Sequence, residues 1–246
     1  MDHLLYVAAS GARETMLAQA VNTHNLANAS TTGFRADLVT AQSAYLSGEG
    51  FESRAVAGMK GRGVDFREGM INATGRDLDV AIKGSGWMAV QAPDGTEAYS
   101  RRGDLRVDEL GQVLNGVGQP LIGNAGPIAL PPFSEIAIGA DGTISIVPLG
   151  EDPNTLAVID RIKLVNPDTS LLAKNRQGLV QIKGGEPAIP DAGVGLISKS
   201  LESSNVNPVE SMVRMIELAR QFETHVKMMK TAEKLDSSSA ELMRLS

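Results

Sequence analysis

Three histidines, His3, His24 and His225, are the side chains of this sequence best suited to hold a metal ion or to move a proton near neutral pH. None has a partner at metal-ligand spacing, and there is no cysteine to complete a site. Asp77 and Asp79 alternate with Leu78 and Val80. In a strand the two carboxylates would share the solvent face, which makes them a solvated pair rather than an acid and a base. Asp104, Asp108 and Glu109 lie beside Gly111 in an expected turn. Gly84-Ser85-Gly86 opens no helix, so it lacks the helix N-terminus on which a phosphate loop depends. No Gly-x-Ser-x-Gly elbow is present, and neither Ser85 nor Ser100 has a base beside it in the sequence. The expectation is a chain without catalytic, cofactor-binding or metal-binding residues and without a small-molecule substrate.

The elements that would carry such groups look built for another purpose. Near the end stands "ESSNVNPVESMVRMIELARQFETHVKMMKTAE". Asn207 suits an N-cap, Pro208 the first helical position, and Glu210 falls three residues after the cap. Met212, Met215, Ala219, Phe222, Val226 and Met229 then recur at spacings of three and four, a coiled-coil-like seam. With no Gly or Pro after Pro208, the helix is predicted to reach about Leu235 or beyond. A helix that long carries more apolar face than one small domain covers, so it needs a partner.

A second long helix is predicted over Leu4–Asn28, interrupted only by Gly11. Leu5, Ala9, Ala12, Met16, Ala20 and Ala27 share one face, while Leu4, Val7, Leu17, Ala18 and Val21 cover much of the other. Apolar nearly all round, it reads as a helix buried in a core or in an assembly. Asn22, Asn25 and Asn28 fall three apart on its last turns. They read first as helix termination and alternatively as a polar ladder toward a neighbouring chain. A sharp turn is expected at Ser30–Gly33.

Residues 34–73 are rich in glycine and read as an extended connector, with room for a hairpin. From Thr74 short alternating runs appear, among them Leu78–Ile82, Trp87–Val90, Ile136–Ile138, Ile144–Ile146 and Val180–Ile182. Turn signals such as Pro93-Asp94-Gly95 and Asp141-Gly142 separate them. The expected fold class is α+β. Terminal helices, residues 1–33 and 203–246, would pair as a coiled-coil-like unit, joined through 34–73 to an all-β sandwich or irregular barrel at 74–202.

Composition narrows the partners. The chain has 246 residues, is 42% hydrophobic and carries a net charge of −6 without a basic block, which argues against nucleic acid or an anionic membrane as partner. Its first twenty residues lack both the basic start and the unbroken apolar run of a signal peptide or membrane span. Export would need another route.

Three separated stretches, "ANASTTGFR", "LDVAIKGSGWMAV" and "SSNVNPVESMVRMI", resemble the flagellar rod and hook axial family, and the resemblance covers nearly the whole chain. The opening segment is most similar to proximal-rod members, although distal-rod and hook proteins share the terminal motifs. Trp87-Met88 stand where the family often has two phenylalanines. The resemblance implies terminal helices that stack into a tube with the β domain outside, and a rod crossing the periplasm that transmits torque. It also implies self-association, other rod proteins as neighbours, and passage through the flagellar type III export apparatus without a cleaved signal. The assembly interface would be Leu5, Ala9, Ala12, Met16, Asn22, Asn25, Asn28, Met212, Met215, Ala219, Phe222, Val226 and Met229. Two other expectations compete with it: a wall-degrading hydrolase, for which no paired carboxylates stand out, and a soluble helical adaptor.

Overall fold

The computed structural model describes residues 2–45, 55–152, 155–175 and 178–244, with side chains described for 4–39, 63–152, 155–175 and 178–238. The chain divides into two compact units. One comprises 1–28, 36–65 and 206–246, the other 29–35 and 66–205.

The first unit holds two helices and a hairpin. Helix α1 spans Asp2–Ala27 and helix α2 spans Pro208–Arg244. At ~1.5 Å per residue, α2 is about 55 Å long. Its start follows from the cap: Asn207 Oδ1 accepts from the backbone N–H of Val209 (3.0 Å) and of Glu210 (3.3 Å). The Asn207 carbonyl then accepts the first intrahelical bond, from Ser211 N–H. Between the helices in sequence, β1 (Asp37–Tyr45) and β2 (Ala55–Val64) pair antiparallel, with a bulge between Thr40 and Ala41. Of the stretch expected to be a connector, 36–65 therefore belongs to the helical unit, while 34–35 and 66–73 belong to the other.

The second unit is β-rich. In chain order its strands are β3 (Ile71–Ala73), β4 (Val80–Lys83), β5 (Trp87–Gln91), β6 (Glu97–Ser100), β7 (Arg106–Val107), β8 (Val113–Leu114) and β9 (Phe133–Ile138). There follow β10 (Thr143–Pro148), β11 (Ala157–Arg161), β12 (Leu164–Val165), β13 (Leu172–Lys174), β14 (Val180–Ile182), β15 (Gly195–Ser198) and β16 (Ser200–Glu202). They form a five-stranded sheet in the order β12-β5-β6-β14-β13, a three-stranded sheet β11-β10-β9, and the pairs β15-β4, β16-β3 and β7-β8.

Strand β5 is buried on both faces, which explains its unbroken apolar run. Met88 and Val90 enter a core with Val80, Ile82, Leu105, Leu121, Ile144 and Ile146. Trp87 and Ala89 enter a second cluster with Tyr99, Val165, Leu172 and Val180. Lys199, at φ 58°, separates β15 from β16 and redirects the chain so that Ser200–Glu202 pairs with β3.

Candidate functional site

In the first unit α1 and α2 pack antiparallel. At one end Asn22 Nδ2 donates to the Ser211 carbonyl (2.7 Å). Further along, Gly11 faces His225 so closely that a Cβ on the glycine would collide with the imidazole Cε1. At the other end Leu5, Val226, Met229 and Ala232, together with Lys230, Glu233 and Asp236, line a groove of about 440 Å³. The buried positions of α1 are short: Ala8, Ala12, Thr15 and Asn22. Those of α2 continue a heptad, in which Ser211, Leu218 and Ala232 are buried and Met215, Phe222, His225 and Met229 half-buried. Small residues on one helix let the longer side chains of the other approach. The polar members are placed with them: the Thr15 hydroxyl is spent on the Gly11 carbonyl (2.8 Å), while Glu14 Oε2 and His225 Nδ1 are buried without a hydrogen-bond partner.

The residues singled out from the sequence occupy different places. Ala12 and Asn22 are buried; Met215, Ala219, Phe222, Val226 and Met229 are half-buried; Leu5, Ala9, Met16 and Met212 are exposed. Asn25 is spent inside the unit, its Nδ2 donating to the Asp37 carbonyl and its Oδ1 accepting from Asp37 N–H (both 2.8 Å). Asn28 Nδ2 donates to the His24 carbonyl (2.9 Å). Met212 belongs to a stripe with Val209, Val213 and Ile216, each 50% exposed or more. Leu4, Leu5, Tyr6, Val7 and Met16 form a comparable exposed set on α1.

The second unit contains a buried charge cluster on which the three sequence motifs converge. Arg35 closes "TTGFR", Glu202 opens "ESSNVNP", and Gly84, Gly86 and Trp87 lie in "KGSGW". Glu202, fully buried, accepts from Arg35 Nη2 (2.5 Å) on one oxygen and from Arg101 Nε (2.7 Å) on the other. Gly69 N–H adds a bond to the first oxygen (2.7 Å). Arg101 Nη1 and Nη2 donate to the carbonyls of Gly86 (3.1 Å) and Gly84 (2.8 Å). Gly84-Ser85-Gly86 thus offers carbonyl acceptors to a cation, the reverse of a phosphate cradle. Both guanidinium carbons lie about 6 Å from the Trp87 ring centroid, at 6.0 and 5.9 Å. Burial pushes the Arg35 guanidinium below its ordinary range, Glu202 opposes that, and Arg101 adds to it.

Gly33 belongs to the same cluster. It takes φ 66° and donates its N–H to the Glu202 carbonyl (2.8 Å). A methyl group in place of its α-hydrogen would lie only 2.5 Å from the Arg101 carbonyl. The expected turn is therefore required by geometry.

Arg35, Arg101 and Glu202 do not stand out as candidates in the sequence. Arg35 and Glu202 are marked there only as the charged edges of otherwise small and polar motifs; Arg101 has no such signal. The carboxylates weighed for catalysis separate. Asp77 is exposed and paired with Lys199 (2.8 Å). Asp79 is buried, with Oδ2 accepting from the Thr74 hydroxyl (2.7 Å). They do not share a solvent face, because β4 begins only at Val80 and the strand alternation does not extend back to them. His24 meets Asp37 at 3.0 Å, and the His3 side chain lies outside the described ones. Among the described residues no group of His, Asp and Glu could hold a metal ion, and no helix is long and apolar enough to cross a membrane.

Comparison with known proteins follows the same three segments. Residues 5–35 match the family model described as flagella basal body rod protein. Residues 81–146 match the flagellar hook protein FlgE/F/G D1 domain, and 197–242 the flagellar basal body rod FlgEFG protein C-terminal model. The flagellar basal-body rod protein FlgF of Salmonella typhimurium is 39% identical, with all of both chains covered, and that of Escherichia coli matches to the same extent. The basal-body rod protein FlgG of Bacillus subtilis is 27% identical over 98% of each chain.

Proposed function

Since the chain belongs to the FlgF family of flagellar basal-body rod proteins, we propose that it is a structural, non-enzymatic subunit of the proximal rod that assembles through its terminal helices. The observation that carries this reading is the apolar stripe Val209-Met212-Val213-Ile216 on α2, together with the exposed apolar residues Leu4, Leu5, Tyr6, Val7 and Met16 spread around α1, which a single chain leaves in water. Burying such area releases about 25 cal/mol per Å². A stripe that meets a different surface on the next chain extends an array instead of closing it. The seam between α1 and α2 acts as a coiled-coil-like pair that holds the α2 stripe and the exposed residues of α1 in place. Neighbours would be other copies of the chain and other rod proteins, in the rod that spans the periplasm and carries torque. Delivery would use the flagellar type III export apparatus without a cleaved signal.

Ile216→Asp tests this by placing a charge in the α2 stripe at a position 57% exposed in the single chain. The purified variant keeps its helical circular dichroism, since the site is open to water. In a deletion strain complemented with it, the chain is missing from purified basal bodies and swimming is lost. Full incorporation of Ile216→Asp, or absence of the unmutated chain from basal bodies, would overturn the proposal.

A further inference from the structure

The chain passes between its two units after residues 28, 35, 65 and 205. Within the β-rich unit, the residues at these crossings are bonded to one another. Gly33 N–H donates to the Glu202 carbonyl (2.8 Å), and Asn205 N–H to the Phe34 carbonyl (3.3 Å). Asn205 Nδ2 donates to the Arg67 carbonyl (3.0 Å). Met70 N–H donates to Ser203 Oγ (3.1 Å), and Ser203 N–H returns a bond to the Met70 carbonyl (2.8 Å). Three segments, 29–35, 66–70 and 202–205, are thus one hydrogen-bonded set.

One side chain holds them to the body of the unit. Glu202 grips Arg35 from the first segment, Gly69 N–H from the second, and Arg101 beyond both. Arg101 in turn is fixed to the turn before β5 through Gly84 and Gly86. The arrangement is asymmetric in charge: one buried carboxylate bonds two guanidinium groups that are 2% and 3% exposed, while the exposed Glu68 acts on Arg35 only as a weaker electrostatic neighbour. Arginine does not shed its proton in a protein. Without the carboxylate, two fixed positive charges would face each other away from water, and the segments carrying them would have to part or hydrate.

We propose that Glu202 is the positioning residue of a mechanical joint. Every covalent path by which load enters or leaves the β-rich unit begins in a segment that its carboxylate secures, so the three segments open and close as one. The joint is separate from the apolar core around Val80, Met88, Val90 and Ile144, which holds the sheets together without it.

Amide hydrogen exchange on the full chain tests the joint with no reference to the rod. In Glu202→Gln, the amides of Gly33, Gly69, Met70 and Ser203 exchange at least about tenfold faster than in the unmutated chain, by a common factor, as expected when a buried ion cluster loses the buried carboxylate that both guanidinium groups bond. Amides of Ala89 and Ile146 keep their protection. Glu202→Asp retains the charge but shortens the reach, and gives a smaller acceleration of the same set. Should the Gln variant fail to fold, the Asp variant decides by the same criteria. Separate opening of the three segments, a response confined to 200–205, or equal acceleration of Ala89 and Ile146 would overturn the proposal. A second arm rests on the rod reading: basal bodies contain the Glu202→Asp chain in normal amount, but swimming falls off more steeply with viscosity. Absence of the variant from basal bodies, with the exchange result as expected, would count against the rod reading and leave the joint standing; normal swimming at every viscosity would count against its mechanical role.

Discussion

Trp87 shows how one residue can serve two regions at once. Its ring is 4% exposed, stacks edge-on against Phe66 with centroids 5.8 Å apart, and presents its face to Arg35 and Arg101. Trp87→Ala is expected to cost about 3–5 kcal/mol in chemical denaturation of the β-rich unit. Gly33→Ala is expected to cost more than about 1 kcal/mol, because the new methyl needs both a left-handed backbone and space held by Arg101. Tyr99 provides a pH test. Burial pushes its phenol up to about 12 from 10.0; the Ala188 N–H bond pulls it down and Glu97 raises it further. The folded state therefore favours the neutral phenol. Stability is fully present below the ordinary value and is lost as pH rises through the shifted one, by roughly 2–3 kcal/mol between about pH 10 and 12. Tyr99→Phe should remove that alkaline loss from the difference in denaturation midpoints; an unchanged slope would contradict it. At this scale the sequence is least readable. Arg35 and Glu202 stand 167 residues apart, and no periodicity or local spacing joins two charges across that distance.

Elements are far more legible, because their signals are local. The cap at Asn207, the proline after it and the spacing of Met215, Phe222 and Met229 specify α2 from within a few turns. Strands β5, β9, β10 and β14 follow from their own apolar residues and the turns beside them. The hairpin β1–β2 is weaker in the sequence because Gly58, Gly61 and Gly63 dilute the alternation, and its pairing is supplied by the partner strand. On α2, counting only apolar residues passes over Ser211 and His225, although both fall on the buried heptad. Ser211 fits because its carbonyl accepts from Asn22, and His225 because Gly11 leaves room for its ring. This gives a test of the helix pair. Gly11→Ala gains about 1 kcal/mol of helix propensity, yet its methyl would collide with the imidazole. Thermal melts followed by circular dichroism should find the single variant less stable than the parent, and Gly11→Ala/His225→Ala restored relative to it. A stabilised single variant would mean the ring is free to move aside.

At the scale of the molecule there are two units: one is held by apolar cores and a buried charge cluster, the other carries the exposed stripe of α2 and the exposed apolar residues of α1. The family is readable from the sequence in three stretches, which lie in the helix pair and beside the buried charge cluster. What would cover the α2 stripe is not readable, since a stripe states its chemistry and not its partner. The direct measurement is photo-crosslinking from a reactive residue placed at Met212, which is 50% exposed. In purified basal bodies it should yield covalent adducts with rod proteins, and in dilute solution the same purified chain should yield none. A chain present in basal bodies whose Met212 position forms no adducts there would contradict assembly through the helical stripes.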